Sequence, residues 1–234
     1  MGEVSKAIGL SDLQFKNENL EKFPNTKVSK NTNYSVLVTL FFNTRDQILS
    51  DKRIRSALSY SLSDEFLEGS RSYMPFPSSF WAYTDTYNYT EDIERAKILL
   101  SATETATKSA ALKLDIKTLA KYEKTAKNVV KSWEKLGVKS KITIVDSIPE
   151  TFQVFLGDFF VHKDPDQYTL WHSDQINNIT KYENKRIDKL LEDGRKIVDR
   201  QERVKIYNDF QKYLTVDAPA VFLYFPYEYE ITRK

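Results

Sequence analysis

Cysteine is absent from the 234 residues. That absence removes disulfides, thiolate metal sites and cysteine nucleophiles together, and it leaves the compartment open, because an exported protein can do without disulfides. Glycine is scarce, at six residues, and neither a P-loop nor Gly-x-Gly-x-x-Gly occurs. A phosphate cradle is therefore not expected. The Gly-x-Ser-x-Gly elbow of serine hydrolases is missing too, and no other catalytic pattern takes its place. The two histidines, His162 and His172, stand ten apart with no His-x-x-x-His spacing, so no metal site is expected. Charge of one sign is also lacking. Lys and Arg number 35 against 33 Asp and Glu, a net +2, and the signs are interleaved without a basic block. Nucleic acid is thus not an expected partner. No apolar run is long enough to span a bilayer, and Met1 to Lys6 lacks the apolar centre of a signal peptide. Met1-Gly2 fits a cloning remnant, and on that reading native targeting information is expected to lie outside this sequence. The expectation is a non-enzyme with no cofactor.

What the chain does have is secondary-structure patterning and aromatic side chains. Residues 1–32 are polar and weakly periodic and read as an irregular lead-in with one short helix. Ser35 to Phe42 is a nearly continuous apolar run, the form of a strand buried on both faces. Ser50 or Asp51 then caps a helix carrying Ile54, Ala57 and Leu58. A Pro- and aromatic-rich loop follows over 73–87, and Thr90, ahead of Glu91 and Asp92, opens a helix through Leu100. Residues 101–110 read as a surface connection. Leu112, Leu114 and Ile116 alternate with charged residues at strand period. Tyr122, Ala126, Val129, Val130, Trp133 and Leu136 form a helical stripe ended by Gly137, and Ile142 and Ile144 mark another strand. This is a βαβ unit with parallel strands. Ser147-Ile148-Pro149-Glu150 fits a capping box that starts a helix through about Leu156. Two amphipathic helices are expected after 183. The first carries Ile187, Leu190, Leu191, Ile197 and Val198; the second carries Val204, Tyr207, Phe210 and Leu214, with Asp199 and Glu202 as its cap pair. Ala220 to Phe225 returns as a buried strand. The order implies an α/β domain, a mixed sheet with helices packed on both faces.

Aromatics make up 13% of the chain, and several sit in polar loops where half-apolar, half-polar rings suit a gripping surface. Phe80, Trp81 and Tyr83 lie in the Pro-rich loop, and Tyr168 and Trp171 follow Asp164-Pro165-Asp166. The alternative for each ring is core packing. Asp164 and Asp166 have the chemistry to ligate a hard cation, but Asp-Pro-Asp is more often a turn that caps the next helix.

Seven segments in order carry more than any one motif. They are Phe42-Asn43-Thr44; Leu49-Ser50-Asp51-Lys52-Arg53-Ile54-Arg55-Ser56-Ala57-Leu58-Ser59-Tyr60-Ser61-Leu62; Tyr89 to Leu100; Gly157-Asp158; Asp164-Pro165-Asp166-Gln167-Tyr168; Asn184 to Leu191; and Arg203 to Gln211 with Ala218-Pro219-Ala220-Val221-Phe222-Leu223-Tyr224. This succession, over roughly 33–225, resembles the family 5 extracellular solute-binding proteins of ABC importers, which bind dipeptides, oligopeptides or nickel. The resemblance implies the C-terminal lobe of a two-lobed type II periplasmic-binding-protein fold. Residues 33–234 would form that lobe, and the N-terminal lobe and the strands that return to it would lie outside the chain. It also implies an extracytoplasmic, lipid-anchored monomer that closes on a small ligand and docks on a membrane permease. Peptide binders of this family hold the ligand's α-ammonium with the Asp of a Trp-x-x-Asp pattern. The matching stretch here is Phe155-Leu156-Gly157-Asp158, so Asp158 is the expected anchor, with Phe155 in the ring position. A longer spacing separates Asp158 from Asp164-Pro165-Asp166 than in the peptide binders. Phe80, Trp81, Tyr83, Tyr168 and Trp171 are the further candidate contacts, and Arg55 is expected to support the fold through a salt bridge. A peptide is the leading ligand class; an oligosaccharide, with the rings as stacking platforms, or a metal chelate stays open.

Overall fold

The structure, a computed structural model, describes residues 5–17, 19, 22, 25–86, 88–103 and 112–233. Eight strands run β1 (Lys6–Ser11), β2 (Thr26–Thr32), β3 (Val36–Phe42), β4 (Gly69–Arg71), β5 (Lys113–Leu119), β6 (Lys139–Val145), β7 (Val154–Phe160) and β8 (Ala220–Arg233). The helices are α1 (Asp12–Asn17), α2 (Lys52–Tyr60), α3 (Ile93–Ser101), α4 (Glu123–Glu134), α5 (Tyr168–Trp171), α6 (Lys185–Lys196) and α7 (Arg200–Asp217). The strand order is β1-β8-β3-β7-β5-β6, with β2 and β4 also paired to β8. β5 pairs in parallel with β6, as the βαβ pattern requires, and with β7 on its other side, and β3 lies antiparallel between β7 and β8.

The apolar run of β3 is continuous because both faces of the sheet are covered. Val38, Leu40 and Phe42 face one core with Leu58 of α2 and Ala126, Val129 and Trp133 of α4. Leu37 and Phe41 face the other, with Trp171, Ile187, Leu191, Tyr207 and Phe210 of α5 to α7. Trp133 is fully buried, its indole N–H donates to the Leu58 carbonyl at 3.1 Å, and its ring stacks on Phe42. Removing such a side chain costs about 3–5 kcal/mol, so this contact fixes α4 and α2 to the sheet. Asp51 caps α2 and Asp199 caps α7 through the Glu202 amide, as expected. Gly137, at φ +75°, turns the chain from α4 towards β6 in the left-handed region that favours glycine.

Four expectations need correction. The lead-in is not irregular: β1 and β2 flank the short α1 and pair with the outer half of β8, which runs eight residues past the expected end at Phe225. No helix follows Ser147. Val154–Phe160 is a strand, bonded to β3 along its whole length. The helix expected from Thr90 is capped two residues later, by Asp92, whose carboxylate accepts the Arg95 amide. Finally, α6 ends at Lys196, and Val198 is 94% exposed instead of joining the stripe. Most of the expected 101–110 connection lies outside the described residues.

β8 is two stretches of opposite facing. Its register against β3 slips between Val38 and Thr39, leaving Leu223 as the extra residue of a bulge. Leu223 and Tyr224 consequently pack on the same core, and Phe225 on the other. Beyond the bulge, β8 leaves the central sheet between β1 and β2.

Candidate functional site

β5, β6 and β7 all point their carboxyl ends to one edge of the sheet, and open α/β sheets bind ligands outside that edge. There, β5 gives way to the turn Ala120–Tyr122, β6 to the loop around Ile148, and β7 ends in Phe160. Ile148 and Phe160 are both more than half exposed, apolar surface at the rim of a polar edge. The β1-β8-β2 ribbon departs from this same side, since Val36, at the start of β3, pairs with Phe160 and the Asn33 amide donates to the Pro226 carbonyl.

Asp158 lies here, on β7, with its side chain 26% exposed. The structure places this expected anchor in a strand, opposite Val38. Two groups hold its Oδ2. The Lys121 ammonium sits 2.6 Å away, and the Tyr122 hydroxyl donates to the same oxygen. No hydrogen bond falls on Oδ1 among the described residues, and a carboxylate accepts on both oxygens. Burial, then the Asp158 charge, raises the Tyr122 phenol far above its ordinary range, so Tyr122 remains a donor. The Tyr122 ring also lies 4.7 Å from the Lys121 ammonium. On the same helix, Lys124 pairs with Glu68 at 2.8 Å and Thr125 shares a 2.8 Å hydrogen bond with the Tyr224 hydroxyl. A cavity of about 170 Å³ opens beside Asp158, lined by Asp158, Phe41, Ile148, Phe159, Leu170 and Trp171 together with Asn177, Ile179 and Thr180.

The structure brings Asp158 and Trp171 to one cavity and leaves the other candidates elsewhere. Phe155 is almost wholly buried between Phe41 and Phe152. Its ring covers Gly157 so closely that a Cβ there would stand 2.5 Å from it. Trp171, also buried, packs on Phe41 and Phe222, and its N–H donates to Gln167. Phe80 stacks on Phe76, while Trp81 lies 5.0 Å beneath Arg200 and 5.4 Å beneath Arg203 of α7. Tyr83 is half-buried, burial raising its phenol, in a loop that Gln211 of α7 holds through the Ala82 carbonyl at 2.7 Å. Tyr168 stacks on His172 under Arg195. The Trp81 and Tyr168 rings thus engage α5 to α7, and none of the four rings lines the cavity at Asp158.

The Asp-Pro-Asp turn behaves as a cap. Asp166 accepts the Tyr168 amide at 3.0 Å. Arg195 holds Asp166, and Arg203 grips Asp164 with two parallel bonds that keep the Asp164 carboxyl below its usual range. Both acids are thus committed to arginines. Arg55 supports the fold, but through carbonyls instead of a carboxylate: its guanidinium donates to Leu49, Ser50, Asp217 and Ala218. Burial lowers its pKa.

The sequence reading missed Lys121 and Tyr122. Tyr122 was placed on the core stripe of α4, where its ring does lie, but its hydroxyl reaches a partner 36 residues away that only the folded sheet supplies. The chain's signal for this was the polar tip on an apolar stripe at the exit of a parallel strand.

Comparison with known proteins agrees with this architecture. The chain is 25% identical over 240 residues to the oligopeptide-binding protein AppA of Bacillus subtilis, covering 88% of this chain and 44% of AppA. It is 26% identical to the dipeptide-binding protein of Escherichia coli, covering 83% of this chain and 41% of that protein. The chain therefore spans under half the length of the curated relatives it matches. Among solved structures, AppA with a nonapeptide superposes with a TM-score of 0.80 at 24% identity, covering 94% of this chain and 50% of AppA. NikZ of Campylobacter jejuni, in complex with Ni(L-His), gives 0.84 at 21%, covering 99% and 52%. The fold is one lobe of the two-lobed type II binding proteins. The sequence profile of the bacterial extracellular solute-binding proteins, family 5 middle part, matches residues 5–179. That is well over half of the chain, which accordingly belongs to the family 5 bacterial extracellular solute-binding proteins.

Proposed function

We propose that this chain, with the β1 and β2 strands of the expected lead-in joined to the lobe of residues 33–234, is the ligand-binding lobe of a longer extracytoplasmic protein that captures peptides and delivers them to an ABC permease. In this reading a second lobe supplies the other wall of the cleft, the whole acts as a monomer, and no bond is made or broken in the ligand. The observation that carries it is Asp158: a half-buried carboxylate at the carboxyl edge of the parallel strands, with one oxygen fixed and the other open. An α-ammonium on the open oxygen gains a charge-assisted hydrogen bond of about 1.5–3 kcal/mol. A cavity of about 170 Å³, walled by Phe41, Phe159 and Trp171 on the other face of β7, suits an apolar group of the ligand. Relatives described as oligopeptide- and dipeptide-binding support the ligand class.

The test is native mass spectrometry of the full-length protein, purified without denaturation. A ladder of bound masses that fits short peptides is the expected result. A single non-peptide mass, or additions spaced by one hexose, would overturn the peptide reading.

A further inference from the structure

The Asp158 carboxylate already holds an ammonium. Lys121 leaves β5 in the turn Ala120–Tyr122, and because Thr118 pairs with Leu156 on the neighbouring strand, that turn lies beside Asp158. The two residues that reach the carboxylate differ in kind. Tyr122 is buried, so its hydroxyl stays on Oδ2 whatever binds. Lys121 is 54% exposed, at the end of a flexible four-carbon stem, and an ion pair so open to water is weak.

We infer that Lys121 is a specificity-determining residue of the site: its ammonium occupies the cation position on Asp158, and a ligand's ammonium binds by displacing it. The exchange follows from charge. A second ammonium on the open oxygen would stand within a few ångströms of Lys121, where like charges repel, and the repulsion grows as a closing cleft excludes water. Lys121 must therefore swing into solvent as the ligand enters. The cost falls only on ligands that bring a cation to Asp158, because a neutral head group leaves Lys121 in place. Lys121 thus sets how much affinity a ligand gains from its ammonium. This inference rests on the reading of Asp158 as the ligand's anchor.

The test uses the full-length protein and isothermal titration with tetra-alanine and with N-acetyl-tetra-alanine, which lacks the ammonium. Lys121→Met should bind tetra-alanine about two- to fivefold more tightly than the natural protein, the worth of an exposed ion pair. Lys121→Arg, which keeps a competing cation, should not. The gain should vanish with the acetylated peptide, a distinction that a merely structural effect of the substitution would not make. Unchanged or weaker binding by Lys121→Met, while Asp158→Asn and acetylation still abolish binding, overturns the displacement and leaves Asp158 as the anchor. Binding indifferent to both Asp158→Asn and acetylation overturns the anchor, and the displacement with it.

Discussion

Tyr122→Phe is the most informative single change at the site, because it deletes one hydroxyl and leaves a buried ring in place. The hydroxyl donates to a carboxylate, and hydrogen bonds to charged groups contribute about 1.5–3 kcal/mol. Asp158 is partly exposed, so water recovers some of this, and a loss of about 1–2 kcal/mol in unfolding free energy is expected. For a chain of this size that is a fall of roughly 2–8 °C in Tm. The second consequence is functional. Without Tyr122 the Asp158 side chain is held only by an exposed lysine and must be ordered by the ligand, at about 0.5–1.5 kcal/mol, or two- to tenfold in Kd. Thr125→Val is the matched control. It breaks the hydrogen bond to Tyr224 one turn further along the same helix, at a similar cost in stability and without touching Asp158. Urea unfolding followed by circular dichroism, with calorimetric titration of a bound peptide, measures both effects. If Tyr122→Phe lowers stability but leaves Kd equal to that of Thr125→Val, Tyr122 does not position the carboxylate and the reasoning fails.

Alkaline pH gives an independent prediction. Tyr89 is buried, its hydroxyl donating to the Thr215 carbonyl at 2.8 Å, and burial pushes its phenol up to about 12. Because the folded pKa is raised, the unfolded chain releases this proton first. The stability is complete below the ordinary phenol value near 10 and is lost between about pH 10 and 12, at up to roughly 1.4 kcal/mol per pH unit. Urea midpoints should fall through that window and fall less steeply in Tyr89→Phe; an identical decline in both would remove Tyr89 as a cause. Gly157→Ala should cost about 1–3 kcal/mol, because the new Cβ meets the buried Phe155 ring at 2.5 Å with no room to retreat; an unchanged urea midpoint would contradict this packing.

Legibility in the sequence followed how locally each element is specified. The βαβ unit was readable because period two in β5 and the 3.6 stripe of α4 are separate, uninterrupted signals. β7 was misread because its apolar run is short, and such a run cannot be told from a buried helix segment by period alone. Ser147 to Glu150 then offered a helix start in the right place. β1 and β2 were invisible for another reason: their strands are polar and mostly exposed, and their pairing comes from β8, some two hundred residues later. At the site, Asp158 was legible only by resemblance, and its two partners became visible only once β5 and β7 were adjacent.

The bulge at Leu223 sets the parity of everything beyond it. A strand counts its faces in twos, and one additional residue exchanges odd for even along the remaining stretch of β8. It is this exchange that turns the Tyr224 hydroxyl towards Thr125 and settles which residues of the ribbon face β1 and β2 on each side. Deleting Leu223, in contrast, would be absorbed locally. Phe222 and Tyr224 would become ordinary neighbours opposite Thr39 and Val38, the bulge would close, and the side chains from Tyr224 to Arg233 would keep their sides of the ribbon that borders the Asp158 edge.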